Sequence, residues 1–209
     1  MSGSPASPSE AMTTLIEHEP SATDLRAATE LLVHAFDDDP FYVWLEPRAS
    51  SRAALSCALL SFAMSGGTVR VAKAGDHVLG VIVFHDPTLP ASAAPRSLSA
   101  VASAVLAHPV RTIAAGAVYA SVLARRAKGA MGIELFAVDE GAWGRGVGKG
   151  LLEAVLARAD GLGVDSHLET TRPSNVAPYE RFGFSTVGAP VKIAGSAPTF
   201  CMRRPRAAS

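Results

Sequence analysis

The sequence predicts a single α/β (α+β) domain in which a central mixed sheet of six to seven strands is flanked by helices. Strand-like and helix-like segments alternate along the chain, which favours one sheet between helices. No internal repeat or second domain boundary interrupts this alternation, and 209 residues are enough for one self-contained core. Residues 1–11 are rich in serine and proline and predict a disordered tail, so the domain is assigned to residues 12–206.

The individual elements are predicted from hydrophobic periodicity, caps and glycine or proline breaks. A first helix lies between a cap at Ser21 or Thr23 and a stop at Pro40. The other helices are predicted over 51–64, 98–107, 110–126, 146–159 and 175–182. Strands are predicted over 14–19, 68–72, 78–84, 132–138, 166–170, 185–187 and 199–203, the second and third forming a hairpin.

The apolar region 97–128 is interrupted by polar residues and a proline. His108-Pro109 and Arg111 divide it into pieces too short for a bilayer of about 30 Å, so we predict two amphipathic helices and no membrane span. These helices wall an acceptor pocket, form a subunit contact or simply face the core. The basic run 125–128 at their end is predicted to be solvated.

Composition limits the possible partners. Net charge is zero and the pI is near 7, so nucleic acid is not an expected partner. Cys57 and Cys201 have neither a disulfide pattern nor metal-ligand spacing. The consecutive acids Asp37, Asp38 and Asp39 point in different directions on a helix end and are predicted to be a solvated charge run, so no metal is expected. No signal peptide is recognised, which predicts a cytoplasmic protein.

The glycine-rich segment 143–150 is the most informative part of the sequence. An apolar strand leads through Asp139-Glu140-Gly141-Ala142 into Trp143-Gly144-Arg145-Gly146-Val147-Gly148-Lys149-Gly150, and an apolar helix follows. A glycine-dense turn at the start of a helix gathers backbone N–H groups at the positive end of the helix dipole. This arrangement indicates a phosphate or pyrophosphate site, and therefore a nucleotide-bearing ligand.

Spacing excludes one familiar phosphate loop and disfavours another. A P-loop needs a glycine five positions before its Gly-Lys pair and Ser or Thr after it, but Trp143 and Gly150 hold those positions. The dinucleotide pattern Gly-x-Gly-x-x-Gly, started from Gly144 or Gly146, meets Lys149 or Leu151 where its last glycine belongs.

A third pattern fits the loop. The run x-x-x-Gly-x-Gly at the start of a helix, with Leu151-Leu152 after it, resembles the acyl-coenzyme A pyrophosphate loop of the GNAT superfamily of N-acetyltransferases. Superfamily members usually carry Gln or Arg at the position of Trp143. The loop binds phosphate mainly through backbone amides, so this departure keeps its chemistry. A glycine-rich helix start without a ligand is the alternative.

A second block of the same superfamily lies downstream. In residues 167–184 a strand is followed by Asn175, by Tyr179 four residues later and by Gly183-Phe184. The residue sequence of this block, and of Thr199-Phe200-Cys201-Met202-Arg203, is most similar to the puromycin N-acetyltransferase branch. Two blocks in the expected order make the resemblance specific between residues 131 and 184.

The resemblance implies acetyl-CoA as the acyl donor, with strands that splay apart where it binds. It also implies a set of donor-binding positions. These are the backbone of Val138, the loop residues Trp143, Gly144, Arg145, Gly146, Val147, Gly148 and Lys149, and Asn175. For Asn175, a helix N-cap is the alternative role.

Acyl transfer to an amine needs an amine that has lost its proton and a proton for the departing thiolate. A phenol with a pKa of about 10 keeps its proton at neutral pH, and the resemblance places Tyr179 near the thioester sulfur. Tyr179 is therefore the candidate general acid. Glu134 is the candidate base, predicted to share a strand face with Phe136 and Val138. Glu169 is its rival. The histidines His34, His85 and His167 are further alternatives.

The sequence therefore predicts an acetyl-CoA-dependent N-acetyltransferase that acts on a primary amine of a small molecule, by analogy an aminonucleoside. A protein acetyltransferase for lysine or an N-terminus is one alternative. A non-catalytic acyl-CoA-binding domain, serving as a sensor or a partner-binding module, is the other. The protein is expected to act as a monomer or homodimer, without metal, nucleic acid or membrane.

Overall fold

The structure is a computed structural model that describes residues 15–17, 19–89, 106 and 108–207. The strands are β1 (Leu15–Glu17), β2 (Thr68–Ala74), β3 (His77–His85), β4 (Met131–Val138), β5 (Ser166–Thr170), β6 (Ser185–Thr186) and β7 (Phe200–Arg204). The α-helices are α1 (Ala22–Phe36), α2 (Pro40–Leu45), α3 (Ala49–Gly66), α4 (Pro109–Leu123), α5 (Val147–Leu162) and α6 (Val176–Glu180). Short 3-10 helices at Glu140–Ala142 and Pro173–Asn175 precede α5 and α6. The predicted tail 1–11 and nearly all of the predicted helix 98–107 lie outside the described residues.

The strands form one seven-stranded sheet in the order β1-β2-β3-β4-β5-β7-β6. β4 and β5 run parallel, and the other neighbouring strands that the structure describes are antiparallel. On one face Leu151 of α5 packs against Ile82 of β3. On the other, Leu32 of α1 and Leu60 of α3 pack against Val81. The predicted mixed sheet between helices is therefore confirmed.

Two predictions about the N-terminal helices have different outcomes. Ser21 caps α1 in a reciprocal capping box with Asp24, as expected from the sequence. The hydrogen bonds from Lys73 and Ser21 lower the pKa of Asp24 to about 2. Pro40 ends α1 as predicted but also begins α2, because proline fits the first turn of a helix and Asp39 caps it. Helix α2 was not predicted from the sequence.

Helix α4 lies on the sheet face opposite α5. Met202 belongs to the core under α5, whereas its neighbour Cys201 packs against Val118 and Val122 of α4. Successive strand residues point to opposite faces, which accounts for this difference. Glu169 is paired with Cys201 across β5 and β7 and therefore points to the α4 side as well.

A bulge in β4 opens the sheet at Glu134. Val83 of β3 pairs with Leu135, and the next residue, Phe84, pairs with Ile133. Glu134 is therefore an extra residue that has no pairing partner on β3. The pairing of β4 with β5 stops at Ile133, opposite Leu168, although both strands continue. The two parallel strands therefore diverge beyond this point, as the resemblance implied.

The bulge also corrects the predicted orientation of Glu134. Ile133 and Phe136, three residues apart, pack in the same core cluster on the α5 side, so the alternation of faces changes phase between them. Glu134 does not share the face of Phe136 and Val138. Its carboxylate contacts Arg126, which also holds Glu169 on the α4 side. The predicted face of Glu134 was wrong because strict alternation of side chains along a strand does not hold across an inserted residue.

None of the described helices combines the length and the apolar character that crossing a membrane requires.

Candidate active site

The glycine loop leaves the start of α5 without a capping side chain. Gly144 and Gly146 have φ of +75° and +82°, in the left-handed region that favours glycine. Gly146 is the N-cap and supplies no side-chain hydrogen bond, so the first N–H groups of this 16-residue helix lack a capping side chain. These groups and the helix dipole together favour a phosphate. The residues present therefore fit the pyrophosphate of a coenzyme A thioester.

The start of α5 approaches the end of β4 closely. A Cβ at Gly148 would lie 3.1 Å from Cγ2 of Val138 and 3.2 Å from Cζ of Phe136. A larger residue would require the side chains of Val138 and Phe136 to move, so glycine here allows the start of α5 to lie close to the end of β4.

Trp143 binds the carbonyl that the resemblance assigned to the donor. The N–H of Asp139 donates to the carbonyl of Leu79 on β3, so the carbonyl of Val138 in the same peptide unit points the other way, into the gap. The indole Nε1 of Trp143 donates to this carbonyl at 3.0 Å, although 65% of the residue is exposed. Val138 thus presents a backbone acceptor to the gap, and the indole occupies it.

Two cavities lie along this gap. The first, called here the loop cavity, is bordered by the glycine loop. Its lining includes the predicted donor-binding residues Val138, Trp143, Gly144, Gly146, Val147, Gly148, Lys149 and Asn175. Arg145 is not among its lining residues. Arg181 and Pro178 line it too, although sequence reasoning did not select them. The signal for Arg181 was its place as a cation two residues after Tyr179.

The second cavity, called here the carboxylate cavity, has a volume of about 300 Å³. Glu134, Glu169 and Asp39 are its acidic lining residues, and α4 provides one of its walls. One of the roles proposed for this helix, the wall of a pocket, is therefore what the structure shows. Phe136, Asn175 and Tyr179 line both cavities, so the cavities meet at these three side chains.

Tyr179 stands at this junction on the short helix α6. Burial raises its pKa to about 12, and its ring contacts that of Phe184 edge to face with centroids 6.1 Å apart. The phenol therefore keeps its proton throughout the neutral range and can donate it to a group between the cavities.

Asn175 connects the junction to the end of β5. It occupies the N-cap position of α6, but its side chain makes no capping hydrogen bond. Its Nδ2 instead donates to Oγ1 of Thr170 at 3.3 Å. The amide thus ties α6 to the strand that borders the gap.

Arg126 links the two candidate bases. Its Nη1 donates to Oε1 of Glu134 at 2.5 Å and its Nη2 donates to Oε1 of Glu169 at 2.9 Å. The prediction that the basic run 125–128 is solvated was therefore wrong for Arg126, whose side chain is only 14% exposed. Arg125 is also engaged, donating to the carbonyls of Val187 and Ala189. The sequence did not indicate that the segment after α4 would lie against β4 and β5.

The charges of this cluster perturb one another. Burial raises the pKa of Glu169, and the guanidinium of Arg126 opposes that rise. Burial by itself would lower the pKa of Arg126, but the carboxylates of Glu169 and Glu134 outweigh it and raise that pKa. The cluster therefore combines two carboxylates with one fixed positive charge, and Glu169 is more basic than an ordinary glutamate.

The histidine alternatives occupy other positions. His167 is fully buried and lines neither cavity; burial, helped by the charge of Arg126, lowers its pKa to about 4. His34 is exposed on α1, and His85 ends β3 opposite Gly132. Neither lines a cavity. The structure therefore brings none of the three histidines to the junction.

The consecutive acids 37–39 have four different partners, and the prediction of a solvated charge run is wrong for Asp39, which is buried. Asp37 pairs with Arg52, and Asp38 pairs with Arg172. The two carboxylate oxygens of Asp39 accept hydrogen bonds from the backbone N–H of Phe41 and from the hydroxyl of Thr171. Only Asp39 lines the carboxylate cavity. Within the described part of the chain, no cluster of His, Cys, Asp and Glu side chains could hold a metal ion.

The geometry combines a helix start without a capping side chain, a second cavity lined by two glutamates, and a tyrosine where the two cavities meet. Comparison with known proteins specifies the class. Residues 28–184 match the Acetyltransferase (GNAT) family, and the chain belongs to this family of acetyltransferases. The family takes the acetyl group from acetyl-CoA. Among curated proteins, none matches the chain.

Solved structures share the fold over almost the whole chain. A protein from Corynebacterium glutamicum described as histone acetyltransferase HPA2 and related acetyltransferase has a TM-score of 0.64 at 20% identity, covering 95% of this chain and 99% of its own. The ribosomal-protein-S18-alanine N-acetyltransferase of Escherichia coli has a TM-score of 0.53 at 15% identity, covering 94% and 96%. Agmatine N-acetyltransferase has a TM-score of 0.55 at 14% identity, covering 91% and 98%.

Replacing Arg126 by Met should destabilise the protein, and more strongly at high pH. Without the guanidinium, the raised pKa of Glu169 rises further. A group whose folded-state pKa is raised loses its stabilising contribution as pH increases above its unfolded value of about 4.3. We expect a loss of about 2 kcal/mol at pH 8, below the roughly 3 to 5 kcal/mol of fully buried pairs, and a smaller loss at pH 5.

Urea unfolding at the two pH values measures this effect. Lys149→Met is the matched control, since its pair with Glu153 is exposed at 3.8 Å and should change stability by less than about 0.5 kcal/mol. Equal losses for Arg126→Met at pH 5 and pH 8 would contradict the assigned electrostatic role.

Proposed function

We propose that this protein transfers an acetyl group from acetyl-CoA directly to the primary amine of a small molecule. One observation carries the proposal: the loop cavity and the carboxylate cavity meet at Phe136, Asn175 and Tyr179. Donor and acceptor can thus enter from separate sides and react at the junction. Direct transfer needs no covalent enzyme intermediate.

The donor is proposed to bind in the loop cavity. The backbone N–H groups at the start of α5 bind the pyrophosphate, and the side chains of Lys149 and Arg181 add positive charge near the cavity. The pantetheine arm follows the gap beside Val138, whose carbonyl points into it. The thioester then lies at the junction with Tyr179.

Tyr179 is proposed as the general acid. Because burial raises its pKa to about 12, it holds its proton until the thiolate forms. Asn175, bound to Thr170, holds the start of α6 against the strand end and so positions this tyrosine.

The base is proposed to be one of the two carboxylates that share Arg126. Both Glu134 and Glu169 line the carboxylate cavity, where an amine would approach the junction. Glu169 has a pKa raised by burial, which suits proton removal from an ammonium. Glu134, from the bulge in β4, makes the shorter contact with Arg126 and is the other candidate.

The size of the carboxylate cavity supports a small acceptor. At about 300 Å³ it lies at the lower end of the roughly 300 to 1,000 Å³ typical of small-molecule sites. The similarity of residues 167–184 and 199–203 to the puromycin N-acetyltransferase branch supports the same choice. The shared fold does not, because it also occurs in the S18-alanine N-acetyltransferase, whose described acceptor is a protein.

Gly146→Asp should abolish acetyl-CoA binding, while Gly146→Asn should retain most of it. Asn and Asp both tolerate the left-handed conformation at this position, so the pair differs mainly in charge. At 100 times the Kd, acetyl-CoA should stabilise the wild type by about 2.7 kcal/mol, a Tm shift of roughly 5 to 10 °C. Thermal melts with and without acetyl-CoA measure it. A full shift for Gly146→Asp would place the ligand elsewhere.

Trp143→Phe should tighten acetyl-CoA binding several-fold. The indole N–H and an amide N–H of pantetheine compete for the carbonyl of Val138, and phenylalanine keeps a ring but removes the competitor. Calorimetric titration measures the Kd. Weaker binding would instead mean that the indole contacts the bound donor. Trp44→Phe, distant from the glycine loop in sequence, is the control.

Tyr179→Phe should lower kcat by about 100-fold or more, the usual contribution of a general acid, and leave the Kd for acetyl-CoA nearly unchanged. Tyr42→Phe is the matched control, because Tyr42 lines only the carboxylate cavity. Steady-state release of free thiol measures both variants. Equal turnover for Tyr179→Phe and wild type would eliminate the proposed acid.

Glu134→Gln and Glu169→Gln together identify the base. In the wild type kcat/KM should fall at acidic pH, as the base becomes protonated. The variant that removes the base should lose this acid limb and about 100-fold in kcat/KM at pH 7. The other variant should keep the limb. If both variants keep the wild-type profile, neither glutamate accepts the amine proton.

A further inference from the structure

We infer that the acceptor is a monoamine with an apolar, ring-bearing body and without a carboxylate or a second ammonium. This inference rests on the proposed function and concerns the carboxylate cavity alone. It is carried by the aromatic side chains that converge on this cavity and by the charges of the side chains that line it.

Aromatic residues are concentrated at this cavity. Only 6% of the chain is aromatic, yet all three of its tyrosines line the cavity. The aromatic lining residues are Phe36, Phe41, Tyr42, Tyr119 and Phe136, together with Tyr179 at the junction. They come from α1, α2, α4, β4 and α6, so no single amphipathic element accounts for their convergence. Such a lining favours an apolar and preferably aromatic ligand body.

Part of this lining is preorganised. The ring of Tyr42 contacts Phe36 with centroids 5.6 Å apart and Phe41 with centroids 5.8 Å apart, both edge to face. Asp39 caps the helix that carries Phe41 and Tyr42, and Thr171 beyond β5 donates to the same carboxylate at 2.6 Å. The aromatic wall is therefore fixed to the strand side of the cavity before any acceptor binds.

The acidic cluster accommodates one ammonium. Glu134 and Glu169 with Arg126 carry one net negative charge when both carboxylates are ionised. A single ammonium neutralises this charge. A carboxylate next to the amine, as in a free amino acid, would cancel the charge of the ammonium and leave the net negative charge of the cluster without compensation.

Among the residues that the structure describes, a second ammonium finds no comparable partner. Asp39 is the other acid in the lining, but both of its oxygens already accept hydrogen bonds, and Nε of Arg172 lies 4.0 Å from it. Arg172 itself lines the cavity and pairs with Asp38. A diamine would bring its second charge toward this guanidinium or into the aromatic wall.

The test compares four acceptors by free thiol release from acetyl-CoA. They are 2-phenylethylamine, butylamine, putrescine and phenylalanine. We expect kcat/KM for 2-phenylethylamine to exceed that for butylamine at least tenfold, and putrescine and phenylalanine to be poorer than butylamine. Equal or better turnover of putrescine or phenylalanine would overturn the inference, as would a butylamine value within twofold of 2-phenylethylamine.

Variants link the preference to the wall. Phe41→Ala should reduce the ratio of 2-phenylethylamine to butylamine at least fivefold while leaving the acetyl-CoA Tm shift intact, and Phe41→Leu serves if the alanine variant does not fold. Val43→Ala, on the same helix but outside the lining and 38% exposed, should leave the ratio unchanged. An unchanged ratio in a folded Phe41 variant would overturn the inference.

Failure of the inference can be told apart from failure of the proposed function. Acetyl-CoA binding with thiol release only for polar amines, diamines or amino acids would overturn the acceptor class and leave the transferase in place. Absence of an acetyl-CoA Tm shift, or of thiol release with any primary amine, would overturn both.

Discussion

The extra residue in β4 is the constraint on which the rest of the site depends. Glu134 has no pairing partner on β3, and β4 stops pairing with β5 one residue before Glu134. Backbone hydrogen bonds that close a sheet would otherwise fill the space between these parallel strands. Their divergence leaves the carbonyl of Val138 directed into the gap and gives the two cavities a common boundary. A single inserted residue thus converts the middle of a sheet into a place where two substrates can meet.

The same residue introduces a charge that has to be compensated. The bulge turns Glu134 toward α4, where Glu169 also points, and two partly buried carboxylates repel each other. Arg126, just after α4, neutralises one of the two charges by binding both. The ion pairs of Arg126 therefore attach the end of α4, which lines the carboxylate cavity, to strands β4 and β5. This attachment explains why a helix of low polarity, exposed along much of its outer side, is held in place at its C-terminal end.

Sequence patterns predicted the fold well where local chemistry decides the structure. The cap at Ser21, one of the two predicted positions, the end of α1 before Pro40 and the start of α5 at the glycine-rich loop each depend on a few neighbouring residues, and the structure has all three. The candidate donor residues converge on the loop cavity for the same reason, since most belong to one continuous turn. Arg145 is the exception. Its neighbours line the cavity and it does not, a difference that depends on the path of the turn.

The sequence by itself determined the family, the order of the described elements apart from α2, the glycine-rich helix start and Tyr179 as a candidate acid, because these follow from contiguous motifs. Only the tertiary structure decided the orientation of Glu134, the role of Arg126 and the aromatic wall. A bulge is visible only in the pairing of two strands, and Arg126 binds carboxylates from two different strands. The aromatic lining joins five separate elements. Such features depend on contacts between residues far apart in the chain, which spacing along one segment does not encode.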